Sequence, residues 1–182
     1  VTKYQYDERI QNEIKRCLRG LFDPGIQLRP ATKQQDFGGV DVRWIVDRDV
    51  ELQLRVRFNR PAYASDSDIT FRTTEPAMIA AHTYAKLAVF MWVRDDQVKA
   101  AKLVDIYRMA ERLQPTLKER LEYAEENDDG TAFIAVEISE LHHVGALLRI
   151  YDGNVWATSV LGGELRLNRI LNEHRHKASQ LV

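Results

Sequence analysis

Residues 35–58 read QDFGGVDVRWIVDRDVELQLRVRF, and the fold turns on how they are paired. In the second half, Glu51, Gln53, Arg55 and Arg57 alternate with Leu52, Leu54, Val56 and Phe58. A side-chain period of two belongs to a strand with one buried face. Residues 41–46 alternate as well, Val42, Trp44 and Val46 against Asp41, Arg43 and Ile45. Asp47, Arg48 and Asp49 between them are turn residues, so the spacing predicts an antiparallel hairpin. That pairing sets Asp41 on a strand beside Glu51, Gln53 and Arg55. Two carboxylates, an amide oxygen and a cation then gather at one place on a sheet, and oxygen donors of this kind suit Mg²⁺ or Mn²⁺. The plainer reading of the same row is a charged, solvent-facing side of an ordinary antiparallel sheet.

Gly38-Gly39-Val40-Asp41 followed by Gln53-Leu54-Arg55 resembles the PD-(D/E)XK nuclease superfamily. It is most similar to the Mrr-like branch, in which a Gly-Gly-hydrophobic-Asp element precedes a strand carrying Gln-x-Lys. The resemblance covers roughly the first half of the chain and departs at Arg55, which stands where the lysine would. It implies a restriction-endonuclease-like α/β fold, a mixed β-sheet flanked by helices. It also implies a metal-dependent DNA endonuclease, or a DNA-processing relative, that cleaves phosphodiester bonds. Asp41 and Glu51 would bind Mg (or Mn), Gln53 would complete the cage and Arg55 would take the lysine's place. The first helix of that superfamily often lends an acidic residue, which makes Glu13 a further candidate ligand. Such chemistry needs an oxygen cage and a nearby cation to steady the developing charge. Arg55 keeps the charge but cannot act as a base, because it stays protonated. Lys86 is a candidate replacement for the lysine. The departure at Arg55 supports the alternative, a catalytically inactive nuclease-fold protein acting as a binding or assembly module. DNA is the expected partner, with a homodimer as a further candidate. Arg43, Arg57, Arg60 and Arg72 are candidate phosphate contacts, though the aspartates interleaved among them also fit simple charge balance.

The bulk properties narrow these readings. At 182 residues the chain is expected to form a single domain, with residues 127–182 as a C-terminal elaboration. Its apolar fraction of 45% suffices for a core, and a net charge of −1 predicts no broad attraction to nucleic acid. A lone cysteine, Cys17, excludes an internal disulfide and a cysteine-rich zinc site. No stretch approaches the roughly 18–20 apolar residues of a membrane span, and residues 1–11 lack a signal-peptide core. The expectation is a soluble, cytoplasmic protein with no membrane contact.

Outward from the hairpin, residues 7–22 repeat apolar side chains at helical spacing, with Ile10, Ile14, Cys17, Leu18 and Leu21 on one face. Glu13 lies at the edge of that face, where pairing with Arg9 or Arg16 is the plain alternative to metal binding. A short strand is expected over 25–30. Residues 59–74 read as a polar surface excursion holding one apolar piece, Ile69-Thr70-Phe71. A short helix follows over 75–82, with Pro76 suited to its first turn. Residues 83–93 are the most apolar run, fit for a strand buried on both faces. Further expectations are a strand over 98–106, a charged helix over 107–126 kinked or divided by Pro115, strands over 132–139, 147–151 and 155–160, and a helix over 161–171. His142 and His143, taken as adjacent strand residues, would face opposite ways and could not share a metal.

Overall fold

The computed structural model describes residues 8–22, 28–30, 42–46, 50–58, 66–128, 130–159 and 162–179. The elements in chain order are α1 (Glu8–Arg19), β1 (Leu28–Pro30), β2 (Val42–Val46), β3 (Val50–Phe58), β4 (Asp68–Arg72), α2 (Glu75–Ala80), β5 (Leu87–Arg94) and β6 (Gln97–Asp105). They continue with α3 (Ile106–Glu122), β7 (Phe133–Glu137), α4 (Ile138–His143), β8 (Leu147–Tyr151), β9 (Trp156–Thr158) and α5 (Gly163–Ser179). Among the described residues, seven strands form a mixed sheet in the order β1-β2-β3-β5-β6-β8-β9. The pair β3–β5 is parallel, with Gln53 opposite Ala88, and the other neighbours run antiparallel. Its β2–β3 pair is antiparallel, as expected, with Arg43 opposite Gln53 and Val42 opposite Leu54.

β5 shows why this strand reads as an unbroken apolar run. Leu87, Val89, Met91 and Val93 enter one core cluster, and Ala88, Phe90 and Trp92 enter the other. A strand at the middle of a sheet covered on both sides has no solvent face to keep polar. The first cluster lies under α1 and α5, where Ile14, Cys17, Leu18 and Leu21 meet Leu167, Ile170 and Leu171 across Leu52 and Leu54. Two long-range contacts fasten α1 there: the Trp156 indole N–H donates to Cys17 O at 2.8 Å, and Arg149 donates to Leu21 O while pairing with Glu164 at the start of α5.

The second cluster lies under α2, α3, α4 and a separate two-stranded ribbon, β4 with β7. β4 corrects the expectation of a polar surface excursion. Its alternation is that of a strand, with Ile69 and Phe71 fully buried and Thr70 opposite Ala135 of β7. A connecting strand of mixed polarity can cover a sheet when its alternate residues face inward. β5 and β6 are joined at Asp95-Asp96, whose φ values of 50° and 57° are those of a tight type I′ hairpin turn.

Two further expectations change. α3 continues unbroken through Pro115. Pro115 and Glu111, the residue whose carbonyl loses its amide, are both exposed, on the solvent side of the helix where the lost bond costs least. The strand expected over 132–139 gives way to helix at Ile138, because Glu137 and Glu140 form a reciprocal capping box. His142 and His143 therefore lie in the last turn of a helix, not on a strand. In the C-terminal segment β8 pairs with β6, β9 with β8, and β7 and α5 contribute to the two cores. Among the described residues, no helix is long and apolar enough to cross a membrane.

Candidate functional site

Alternation along β3 sends Leu52 and Leu54 to the α1–α5 side, and therefore Gln53, Arg55 and Arg57 to the other side. That side is not open to solvent. β4 and the start of α2 lie over it, and their groups pair with Arg55 and Arg57. Arg55 donates from Nη1 to Thr70 O at 2.6 Å and from Nη2 to the Glu75 carboxylate, with its guanidinium 5.8 Å from the centre of the Phe71 ring. Arg57 donates to Thr70 Oγ1 at 2.5 Å and to Asp68 O at 3.3 Å, and lies 5.6 Å from the Trp92 ring centre. The cation–aromatic contacts add to the ion pairs where water is displaced.

Glu75 is the hub. Its side chain is 3% exposed. Besides Arg55, it accepts the Arg72 backbone N–H at 2.6 Å and the Tyr84 hydroxyl at 3.4 Å. Burial holds its carboxyl above the ordinary value, against the pull of the Arg55 charge and the Arg72 amide. Burial also pushes the Tyr84 hydroxyl upward, so it acts as a neutral donor. Gln53 is fully buried, and neither atom of its amide has a partner at hydrogen-bonding distance, although the Tyr84 hydroxyl lies near it.

The expected site residues are thus placed unevenly. Glu51 is half-buried at the start of the row. Gln53 and Arg55 are adjacent in it, but as a covered layer, which also corrects the reading of a solvent-facing charged side. Glu13 is displaced from them by the whole sheet. It rides on α1, whose buried residues join the Leu52–Leu54 cluster, and it pairs with Arg16 at 3.0 and 2.9 Å. That hydrogen bond lowers its carboxyl below the ordinary range. Asp41 and Arg60 lie outside the described residues, as does the turn 47–49, and Arg43 is placed by its backbone alone. Arg57 is paired with β4, its side chain 9% exposed. Arg72 is exposed. Lys86 lies near Asp105, whose carboxylate caps α3 by accepting the Arg108 N–H at 3.0 Å.

A divalent ion on this row would need carboxylates converging on it. The described donors near Gln53 are Glu51, its own amide oxygen and the Glu75 carboxylate, the last already paired with Arg55, whose charge opposes a cation. No group of three or more His, Cys, Asp or Glu side chains converges among the described residues. Asp41, the further carboxylate expected to hold Mg²⁺, lies outside the described residues. Sequence reasoning missed Glu75, which it read only as the start of a helix, because nothing in Glu75-Pro76 announces a partner twenty residues upstream. No family model, curated protein or solved structure matches the chain.

Proposed function

We propose that this chain is a non-catalytic binding or assembly module built on a restriction-endonuclease-like variant of the mixed-sheet fold. One observation carries the reading: Arg55, the residue in the lysine's place, is spent on Glu75 and Thr70 beneath a covering strand. A cation held this way is not free to orient water or meet a phosphorane. The nuclease-like ancestry draws support from Gly38-Gly39-Val40-Asp41, from Gln53-x-Arg55, and from the β2–β3 hairpin that leads through β4 and α2 to a strand parallel to β3. The lone buried Cys17 suits a reducing, cytoplasmic setting.

The rival reading is Mg²⁺- or Mn²⁺-dependent DNA cleavage by Asp41, Glu51, Gln53 and Arg55. What favours it is that the strand following Asp41 is the hydrogen-bonded neighbour of β3, with Arg43 opposite Gln53. Plasmid incubation with Mn²⁺, wild type against Asp41→Ala, separates the two. The proposal expects no nicking by either protein. Nicking by the wild type that Asp41→Ala abolishes overturns it. DNA binding by a non-catalytic module would show a steep salt dependence from counterion release, whereas a protein partner or a homodimer need not.

A further inference from the structure

A second polar constellation lies apart from β3. Arg108 in α3, Arg166 in α5, and His142 and His143 in the last turn of α4 line a recess of about 410 Å³ at the Gly162-Gly163 entry to α5. Among the described residues no carboxylate lines it, although Asp and Glu outnumber Lys and Arg in the chain, 27 to 26. Arg108 donates from Nε to Val144 O at 2.8 Å, which fixes the direction of its guanidinium. Gly145, at φ +69°, lets the chain pass close: a Cβ there would stand 3.4 Å from Arg108 Nε. Burial, and then the charges of Arg166 and Arg112, hold Arg108 below its ordinary value, against the opposing pull of Asp105 and Glu111.

The neighbouring acids lie outside the recess, Asp105 and Glu111 on the adjoining cleft, where the charge of Asp105 still acts on both arginines. Asp105 caps α3 from the adjoining cleft. Glu164, in the first turn of α5, is turned to Arg149 at 3.1 and 2.5 Å. The Ser159 hydroxyl at the recess is buried without a partner. The first amides of α5 add donors of the same sense, since the helix begins its own bonding only at Arg166 N–H to Gly162 O, 3.0 Å.

Arg108 and Arg166 also border a larger cleft of about 660 Å³ beside α2 and α3. Its walls include Phe71, Ile79, Met109, Leu117, Leu121 and Ile134. A basic recess opening on an apolar cleft is complementary to one kind of small molecule, an anionic head on an apolar body. We infer that this chain binds a small phosphomonoester, with the phosphate between Arg108 and Arg166 and the apolar body along α3. Two forked guanidiniums match the two charges and three oxygens of a phosphate head. The site shares no residue with the β3 row and does not rest on the reading of that row.

Isothermal titration with n-octyl phosphate, inorganic phosphate and octyltrimethylammonium tests the assignment. Arg166 forms no ion pair among the described residues, so Arg166→Gln is expected to fold, as circular dichroism and the urea midpoint will show, and His143→Gln is a second probe of the same recess. Octyl phosphate is expected to bind one-to-one and more tightly than inorganic phosphate, and the ammonium not to bind. Arg166→Gln should weaken both phosphates by about tenfold or more. Gln114→Trp, at an exposed position on the cleft wall, should weaken octyl phosphate alone. Absence of saturable phosphate binding overturns the assignment. So does binding that Arg166→Gln and His143→Gln leave unchanged, or equal binding of the ammonium.

Discussion

Removing one partner of the Arg55–Glu75 pair should cost far more than removing both. Their side chains are 14% and 3% exposed, so either charge left alone is a buried charge without a counter-ion, a loss of about 3–5 kcal/mol. Glu75→Met also leaves the Arg72 amide without its carboxylate acceptor. A hydrogen bond to a charged group contributes roughly 1.5–3 kcal/mol, and that loss persists in the double variant. Arg55→Met with Glu75→Met leaves no stranded charge, so the double variant should be destabilised by only about 2–3 kcal/mol. The summed single losses should therefore exceed the double loss by at least about 3 kcal/mol. Urea denaturation of the four proteins, followed by tryptophan fluorescence, measures each term, with a constant slope certifying a common transition. Single losses below about 1 kcal/mol, or a double loss equal to their sum, would refute the claim that this row is a structural layer.

Three other outcomes follow from the same packing. Cys17 is 1% exposed and its thiol is pushed up to about 12 by burial, so it should resist thiol reagents in the native protein and react only at the rate of opening, measured by alkylation with and without urea. Phe90 is fully buried with its ring centre 5.7 Å from that of Phe71, and Phe90→Ala should lower unfolding stability by about 3–5 kcal/mol. Burial raises the Glu140 carboxyl, but the Arg120 hydrogen bond and the Glu137 amide outweigh it, leaving Glu140 below its ordinary value. A depressed carboxyl contributes stability above its unfolded value and loses it as pH falls through the folded one. Between pH 7 and pH 3, wild type should therefore lose more stability than Glu140→Gln; with both partners partly exposed the difference should be about 1 kcal/mol or less.

Much of the framework was legible because it depends on local periodicity. The alternation of β3, the all-apolar run of β5 and the helical spacing in α1 each name a burial state directly. What periodicity cannot name is the element that covers a face. The Gln53-Arg55-Arg57 row looked like either a solvent side or a metal cage because β4 and Glu75 reach it from a separate part of the chain. The alternation of Ile69, Thr70 and Phe71 was visible, but three residues in a polar context do not distinguish a strand from a loop. The α4 capping box was readable in Glu137 and Glu140, yet the apolar run before it favoured an unbroken strand. The basic recess draws Arg108, His142 and Arg166 from three helices, and its only local sign was Gly162-Gly163 before a helix.

Mn²⁺ soaked into crystals and located by its anomalous signal addresses the β3 row most directly. The account predicts no ion near Gln53, with Arg55 bonded to Glu75 and Thr70. An ion held jointly by Asp41, Glu51 and Gln53, with Arg55 turned away from Glu75, would contradict it.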